Sequence, residues 1–136
     1  MSWMTPHDRI IEALRAALHG RQDVRLALLF GSRARGRAHE GSDADVAVLG
    51  RNLDLLELAA DLSDAARVEV DVVSLEDPGY PLLNALLRDS LVLHEAERGA
   101  AADWRFRALL QAETDRPGYE RMRNSYLRRL AAGRHG

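Results

Sequence analysis

Two short apolar runs joined by a polar connection constrain the fold of this chain most. Residues 24–30 (VRLALLF) form a nearly continuous apolar run, which favours a strand covered on both faces. Residues 43–49 (DADVAVL) again have a strand pattern, and the connection between the two runs is mostly loop. Because such a loop permits either direction of pairing, alternation alone leaves a parallel or a mixed sheet open.

Helical and strand patterns alternate along the next part of the chain. Thr5 and Asn52 are candidate N-caps, since their side chains can accept a hydrogen bond from an unpaired N–H of the first helical turn. This order predicts an α/β or α+β fold with a mixed or parallel sheet of about four strands flanked by helices. The predicted helices are 6–19, 53–66 and 82–88, and the further predicted strands are 68–75 and 91–94.

The C-terminal part of the sequence predicts a helical arm. A helix is expected over 96–115, a break at Pro117–Gly118, and a last helix over 119–131. The last helix carries an apolar stripe consisting of Tyr119, Met122, Tyr126 and Leu130. We therefore expect a domain over residues 1–96 and a helical extension over 97–136.

The extension is rich in arginine, and three interpretations of it are open. The first is a helix whose apolar side packs on its own domain while its arginines face solvent, and the sequence favours this one. The second is docking onto an acidic partner, and the third is binding to nucleic acid. The chain as a whole has a formal net charge of −2, so its totals do not suggest direct nucleic-acid binding.

The composition excludes several kinds of site. The sequence has no cysteine, which excludes disulfides and thiolate metal sites, and all 19 of its Lys and Arg residues are arginine, which excludes a lysine nucleophile. The apolar runs are far too short to span a bilayer. We expect a soluble cytoplasmic protein.

Three carboxylates are candidate metal ligands. In a strand Asp43 and Asp45 point to the same face about 7 Å apart, where they repel each other unless a cation lies between them. Mg²⁺ prefers such oxygen ligands, although a pair of solvated acids at a strand start is the simpler interpretation. Asp71, between two valines of the next predicted strand, could add a third acid, with Glu69 as its competitor.

Gly31 and Ser32 end the first apolar run and are candidate phosphate ligands. Glycine lets the backbone approach phosphate oxygens, while the serine hydroxyl and the following N–H groups can donate to them. Arg33 and Arg35 add positive charge close by. Considered alone, this segment is equally typical of a solvated basic loop.

The spacing of these residues makes the pattern far more specific. Gly31 and Ser32 are followed after ten residues by Asp43 and Asp45, and a later strand, VEVDVV, holds the third acid. Over about residues 20–95 this pattern resembles the minimal nucleotidyltransferases, or MNT domains, of the DNA polymerase beta-like superfamily. The fuller pattern GSRARG…SDADVAVL resembles the MntA-type MNT antitoxins, whose partners are HEPN toxins.

The resemblance implies a nucleotidyltransferase fold and a role for each motif residue. Gly31 and Ser32 would hold the triphosphate of ATP, Asp43 and Asp45 would bind two Mg²⁺ ions, and Asp71 would complete the metal site as a candidate general base. The weaker nucleotide-binding candidates are Arg33, Arg35 and Ser42.

The resemblance also implies the reaction, in which AMP passes from ATP to a tyrosine of a HEPN toxin and silences that ribonuclease. Two alternatives are open. One is adenylylation of a small hydroxyl compound of the aminoglycoside type, but the chain is short for an added substrate domain. The other is a non-catalytic binding antitoxin, which would have no need of three clustered acids.

Overall fold

The computed structural model of the protein describes residues 4–34 and 43–133. Its helices are α1 (Pro6–His19), α2 (Leu55–Ala66), α3 (Tyr80–Arg88) and α4 (Ala100–Gly133). Its strands are β1 (Val24–Phe30), β2 (Ala44–Gly50), β3 (Val70–Ser74) and β4 (Ser90–Glu95).

The four strands form one mixed sheet with the order β3-β2-β1-β4. β1 pairs antiparallel with β2 and with β4, whereas β2 pairs parallel with β3. The parallel pair is joined by α2, which serves as the crossover helix. The predicted four-stranded sheet flanked by helices is confirmed, and the question of its direction is resolved in favour of a mixed sheet.

Helices cover both faces of the sheet. Ala27 and Leu29 of β1 pack in one buried cluster with residues of α1 and α2. Leu26 and Leu28 point the other way, into a cluster with Leu86 of α3 and residues of α4. The continuous apolar run of β1 is therefore explained by a strand that is buried on both faces.

Side-chain caps set the first residues of α1 and α2. Thr5 caps α1 as predicted: its hydroxyl accepts a hydrogen bond from the N–H of Asp8 at 3.1 Å. The prediction of Asn52 as the cap of α2 is wrong. Asp54 takes that position and accepts from the N–H of Glu57 at 3.1 Å, while Asn52 lies in a turn with φ of +51°, a conformation that asparagine tolerates.

α4 differs most from its prediction, because it runs without interruption through Pro117. A proline inside a helix removes one backbone hydrogen bond and usually ends or kinks the helix. Contacts around this position favour continuation: the rings of Tyr80 and Tyr119 lie 4.9 Å apart, and Arg116 donates a hydrogen bond to Glu113 one turn earlier in the helix. The predicted break at Pro117–Gly118 is therefore wrong.

The expectation that the apolar stripe of the arm packs on its own domain is also wrong for most of the stripe. Ala108 and Ala112 are buried against Leu83 of α3, and Tyr119 is half-buried. The next members of the same face are 64%, 55% and 46% exposed, namely Met122, Tyr126 and Leu130. Within the described part of the chain, no helix has both the length and the hydropathy that crossing a membrane requires.

Candidate active site

The sheet register brings two of the candidate acids together. Asp45 on β2 lies opposite Asp71 on β3 in the parallel pair, and opposite Phe30 on β1 in the antiparallel pair. Neighbouring strands are about 4.8 Å apart, so the carboxylates of Asp45 and Asp71 project side by side from the same face. Asp43 lies immediately before β2, two residues from Asp45, and its charge acts on the Asp45 carboxylate.

The acids lie on the α3 and α4 side of the sheet. Asp45 and Ala47 have the same parity on β2, and Ala47 packs in the cluster that includes Leu28 and Leu86. Asp45 is half-buried, while Asp43 and Asp71 are exposed. The candidate site is therefore a partly open end of the sheet face that α3 and α4 cover elsewhere.

The three acids interact electrostatically. Burial raises the pKa of Asp45 above its ordinary value of 3.8, and the negative charges of Asp71 and Asp43 raise it further. The charges of Asp71 and Asp43 therefore both act on the carboxylate of Asp45. A bound cation would relieve this repulsion.

The donor set fits a hard divalent cation such as Mg²⁺, because it consists of carboxylate oxygens with room for water and substrate oxygens. In residues 4–34 and 43–133, no group of three or more His, Asp or Glu side chains stands together at metal-binding distances. The fit to metal therefore rests on the chemistry of the donors, on the register of Asp45 with Asp71, and on their shared negative charge.

Gly31 lies in direct contact with Asp45. It follows the last residue of β1 and has a φ of +79°, a conformation that favours glycine. A Cβ atom added at this position would lie 2.6 Å from Asp45 Oδ2. The absence of a side chain at position 31 therefore lets the turn pass directly beside the central carboxylate, with Ser32 as the next residue.

Arg33 is buried, with 2% of its surface exposed. Its Nη1 atom lies 3.4 Å from His7 Nδ1 in the first turn of α1. Burial lowers the pKa of Arg33, and the carboxylate of Asp43 acts in the opposite direction. This position favours a role in fixing the turn next to the acids over direct contact with a nucleotide, and the predicted nucleotide-binding role stays a prediction.

The contact of His7 with Arg33 was not predicted, because nothing in the local sequence links the start of α1 to the Gly-Ser turn.

Glu69, the competitor of Asp71, is exposed and precedes β3, and its carbonyl accepts a hydrogen bond from the N–H of Ala44 at 2.9 Å. The structure places Asp71, not Glu69, in register with Asp45. Arg35 and Ser42, also predicted to bind nucleotide, lie outside the described residues.

Asp45 is expected to lower the stability of the fold when no cation is bound. Because its pKa is raised in the folded state, the folded chain binds a proton more readily than the unfolded chain just above pH 3.8. The free energy of unfolding therefore falls as the pH rises through this range and stays lower at neutral pH. In chelator-containing buffer at pH 7, Asp45→Asn should raise the melting temperature by a few degrees, as measured by circular dichroism.

The matched control is Asp64→Asn, at an exposed position on α2, which should leave the melting temperature unchanged. The advantage of Asp45→Asn should shrink as the pH is lowered toward the ordinary carboxyl pKa. An Asp45→Asn variant that melts below the wild-type protein at pH 7 would contradict the proposed repulsion.

Comparison with known proteins identifies the family. The sequence profile of the family described as "Polymerase beta, Nucleotidyltransferase" matches residues 12–98, which is more than half of the chain. This chain belongs to that nucleotidyltransferase family, as the Gly-Ser and Asp-x-Asp pattern predicted. A sequence comparison with curated proteins gives no match.

Solved structures share the fold. A chain from a toxin–antitoxin structure with AMP-PNP is 23% identical, with a TM-score of 0.69 over 89% of this chain and 98% of that chain. A chain from the complex of a tri-AMPylated Shewanella oneidensis HEPN toxin with its MNT antitoxin is 21% identical, with a TM-score of 0.65 over 90% and 96%. A minimal nucleotidyltransferase is 31% identical, with a TM-score of 0.50 over 67% of this chain and 98% of that chain.

These matches cover different fractions of the chain. A match over 89% or 90% of the chain leaves at most about a tenth of the residues unmatched. Because α4 makes up a quarter of the chain, such a match includes part of α4. The match to the minimal nucleotidyltransferase uses nearly all of that protein and leaves a third of this chain unmatched. The unmatched third is long enough to contain all of α4.

Proposed function

We propose that this chain transfers AMP from ATP to a tyrosine of a HEPN-type partner protein and thereby acts as an antitoxin. The observation that carries the proposal is the placement of Asp45 beside Asp71 on adjacent strands, with Gly31 against the same carboxylate. The fold shared with chains of toxin–antitoxin complexes, one containing an AMPylated HEPN toxin, supports the choice of acceptor. The ATP requirement and the lack of cysteine favour a cytoplasmic setting.

Each residue of the site has a proposed part in binding. The backbone at Gly31 approaches the triphosphate of ATP without a side-chain obstacle, and the hydroxyl of Ser32 donates a hydrogen bond to a phosphate oxygen. Arg33, held by its contact with His7, fixes this turn relative to Asp43. Two Mg²⁺ ions, held by the carboxylates of Asp43, Asp45 and Asp71, would neutralise the charge that develops on the phosphate oxygens.

The proposed transfer is a single displacement. The phenolic oxygen of the acceptor tyrosine bonds to the α-phosphorus, and the bond from that phosphorus to the oxygen bridging to the β-phosphate breaks. Pyrophosphate leaves with that oxygen and the electron pair. The phenolic proton passes to a carboxylate, for which Asp71 is the candidate because it lies beside Asp45 and is exposed to the acceptor.

The direct test is incubation of the purified chain with ATP, Mg²⁺ and a HEPN-type toxin from the same genome, followed by intact-mass spectrometry. The expected result is a mass increase of one or more AMP units on a HEPN tyrosine and loss of its ribonuclease activity. A mass increase on a small hydroxyl compound, with none on the HEPN protein, would instead support adenylylation of a small molecule. Full neutralisation with no mass change would support a binding antitoxin without catalysis.

A further inference from the structure

The C-terminal part of α4 extends an interface past the end of its own domain. Ala108, Ala112 and Tyr119 occupy the helix face that packs on α3. Ala108 and Ala112 cluster with Leu83, and Tyr119 contacts Tyr80, the first residue of α3. We call residues 120–133 the α4 overhang, which is about 20 Å long. The same face continues there at spacings of three and four residues with three exposed apolar side chains, Met122, Tyr126 and Leu130.

The α4 overhang is basic, whereas the rest of the chain is acidic. Residues 120–133 contain four arginines and a single acid, Glu120, while residues 1–119 contain fourteen arginines and twenty acids. Pairing of two overhangs with each other would bring arginines of like charge together. A protein surface with an apolar centre and an acidic rim is complementary to this face.

The α4 helix and the candidate acids share one side of the sheet. Trp104 of α4 packs against the cluster that contains Ala47, and Ala47 has the same parity on β2 as Asp45. The sheet face that the first turns of α4 cover is therefore also the face that carries the candidate acids.

We propose that the α4 overhang docks the acceptor protein, through Met122, Tyr126 and Leu130 at the centre and arginines at the rim. The inference rests on the proposed function for the identity of the acceptor. Chains from toxin–antitoxin complexes share the fold over part of α4, whereas the minimal nucleotidyltransferase leaves a third of this chain unmatched. Docking on α4 gives the acceptor a binding surface separate from the active site, so that affinity does not depend on ATP.

The test is isothermal titration calorimetry of the full chain with a HEPN-type toxin from the same genome, without ATP. Tyr126→Glu and Met122→Glu should each raise the Kd at least about 30-fold, the effect of a central interface residue. One control is Leu56→Glu, on α2, where the leucine is 86% exposed. The other is Leu110→Glu, on the opposite side of α4, where the leucine is 57% exposed. Both control variants should bind within about threefold of the wild-type protein.

Several outcomes would overturn the docking surface. These are an unchanged Kd for Tyr126→Glu, a loss of binding with Leu110→Glu instead, or no complex with the wild-type chain. A fourth outcome combines two measurements: sedimentation equilibrium shows that the chain is a dimer that Tyr126→Glu dissociates, and the Kd for the HEPN protein is unchanged by that substitution. This result would assign the apolar face of the overhang to a second copy of the chain.

AMP transfer measured on the same samples separates this inference from the proposed function. If Tyr126→Glu loses binding and the wild-type chain binds but transfers no AMP, the docking surface stands and the proposed reaction fails. If Tyr126→Glu transfers AMP with the KM and kcat of the wild-type chain, the reaction stands and the docking surface is wrong.

Discussion

Asp45→Asn is expected to lower AMP transfer by roughly 100- to 1,000-fold, and Asp43→Asn by a similar factor, with the fold intact. Asp45 lies in register with Asp71 and its pKa is raised by the charges of both other acids, so its carboxylate is central to the negative field of the site. An asparagine amide keeps the shape but removes the charge that holds a metal ion. The measurement is the initial rate of AMP incorporation into the HEPN protein at saturating ATP and Mg²⁺.

Two companion variants distinguish the third acid from its competitor. Asp71→Asn should reduce transfer together with the other two variants, whereas Glu69→Gln should retain it, because only Asp71 is paired with Asp45 in the sheet. Circular dichroism checks that all the variants are folded. Undiminished transfer by Asp43→Asn or Asp45→Asn would refute the proposed chemistry, since no step would then depend on the acids.

Asp45→Asn is predicted to raise the stability of the fold and to lower the rate of AMP transfer. The substitution should stabilise the metal-free fold because it removes repulsion, and it should lower transfer because the negative charge that causes this repulsion also attracts metal ions. A residue with only a structural role would lose stability when changed. The pair of results therefore tests function without relying on either measurement alone.

Local pattern was sufficient to predict much of this site. Period-two alternation predicted that Asp43 and Asp45 share one face of a strand, although β2 begins only at Ala44, and it left Asp71 and Glu69 as competitors for the third acid. What the sequence could not supply was the register between β2 and β3, which pairs residues 26 positions apart and decides between Asp71 and Glu69. Register depends on the packing of the whole sheet face, so it follows from tertiary structure.

Tertiary contacts also explain the two largest differences from prediction. Pro117–Gly118 is a strong local signal for the end of a helix, yet α4 continues through it, with Tyr119 packed against Tyr80 of α3. The burial of Arg33 beside His7 likewise joins residues 26 positions apart. The prediction that the apolar face of α4 packs on its own domain was wrong for a related reason. α3 is only nine residues long, so the much longer α4 extends beyond the surface on which it can pack.

Gly31→Ala is expected to reduce AMP transfer by about 100-fold, the cost of displacing a reacting group by about 1 Å. The new methyl carbon would lie 2.6 Å from Asp45 Oδ2, so either the carboxylate or the turn must move. Because both belong to the proposed site, either movement disturbs the relation between the phosphates and the metal ligands. The φ of +79° adds strain of about 1–2 kcal/mol for a residue with a side chain.

Gly99→Ala separates the two causes. Gly99 precedes α4 and has a φ of +92°, but a Cβ added there meets no atom within 4 Å. Both variants should therefore lose stability through backbone strain, as measured by urea unfolding, while only Gly31→Ala should lose transfer. If Gly31→Ala kept the wild-type rate, close approach of the turn to Asp45 would have no part in catalysis. If Gly99→Ala lost transfer to the same extent, strain and not the contact with Asp45 would be the cause.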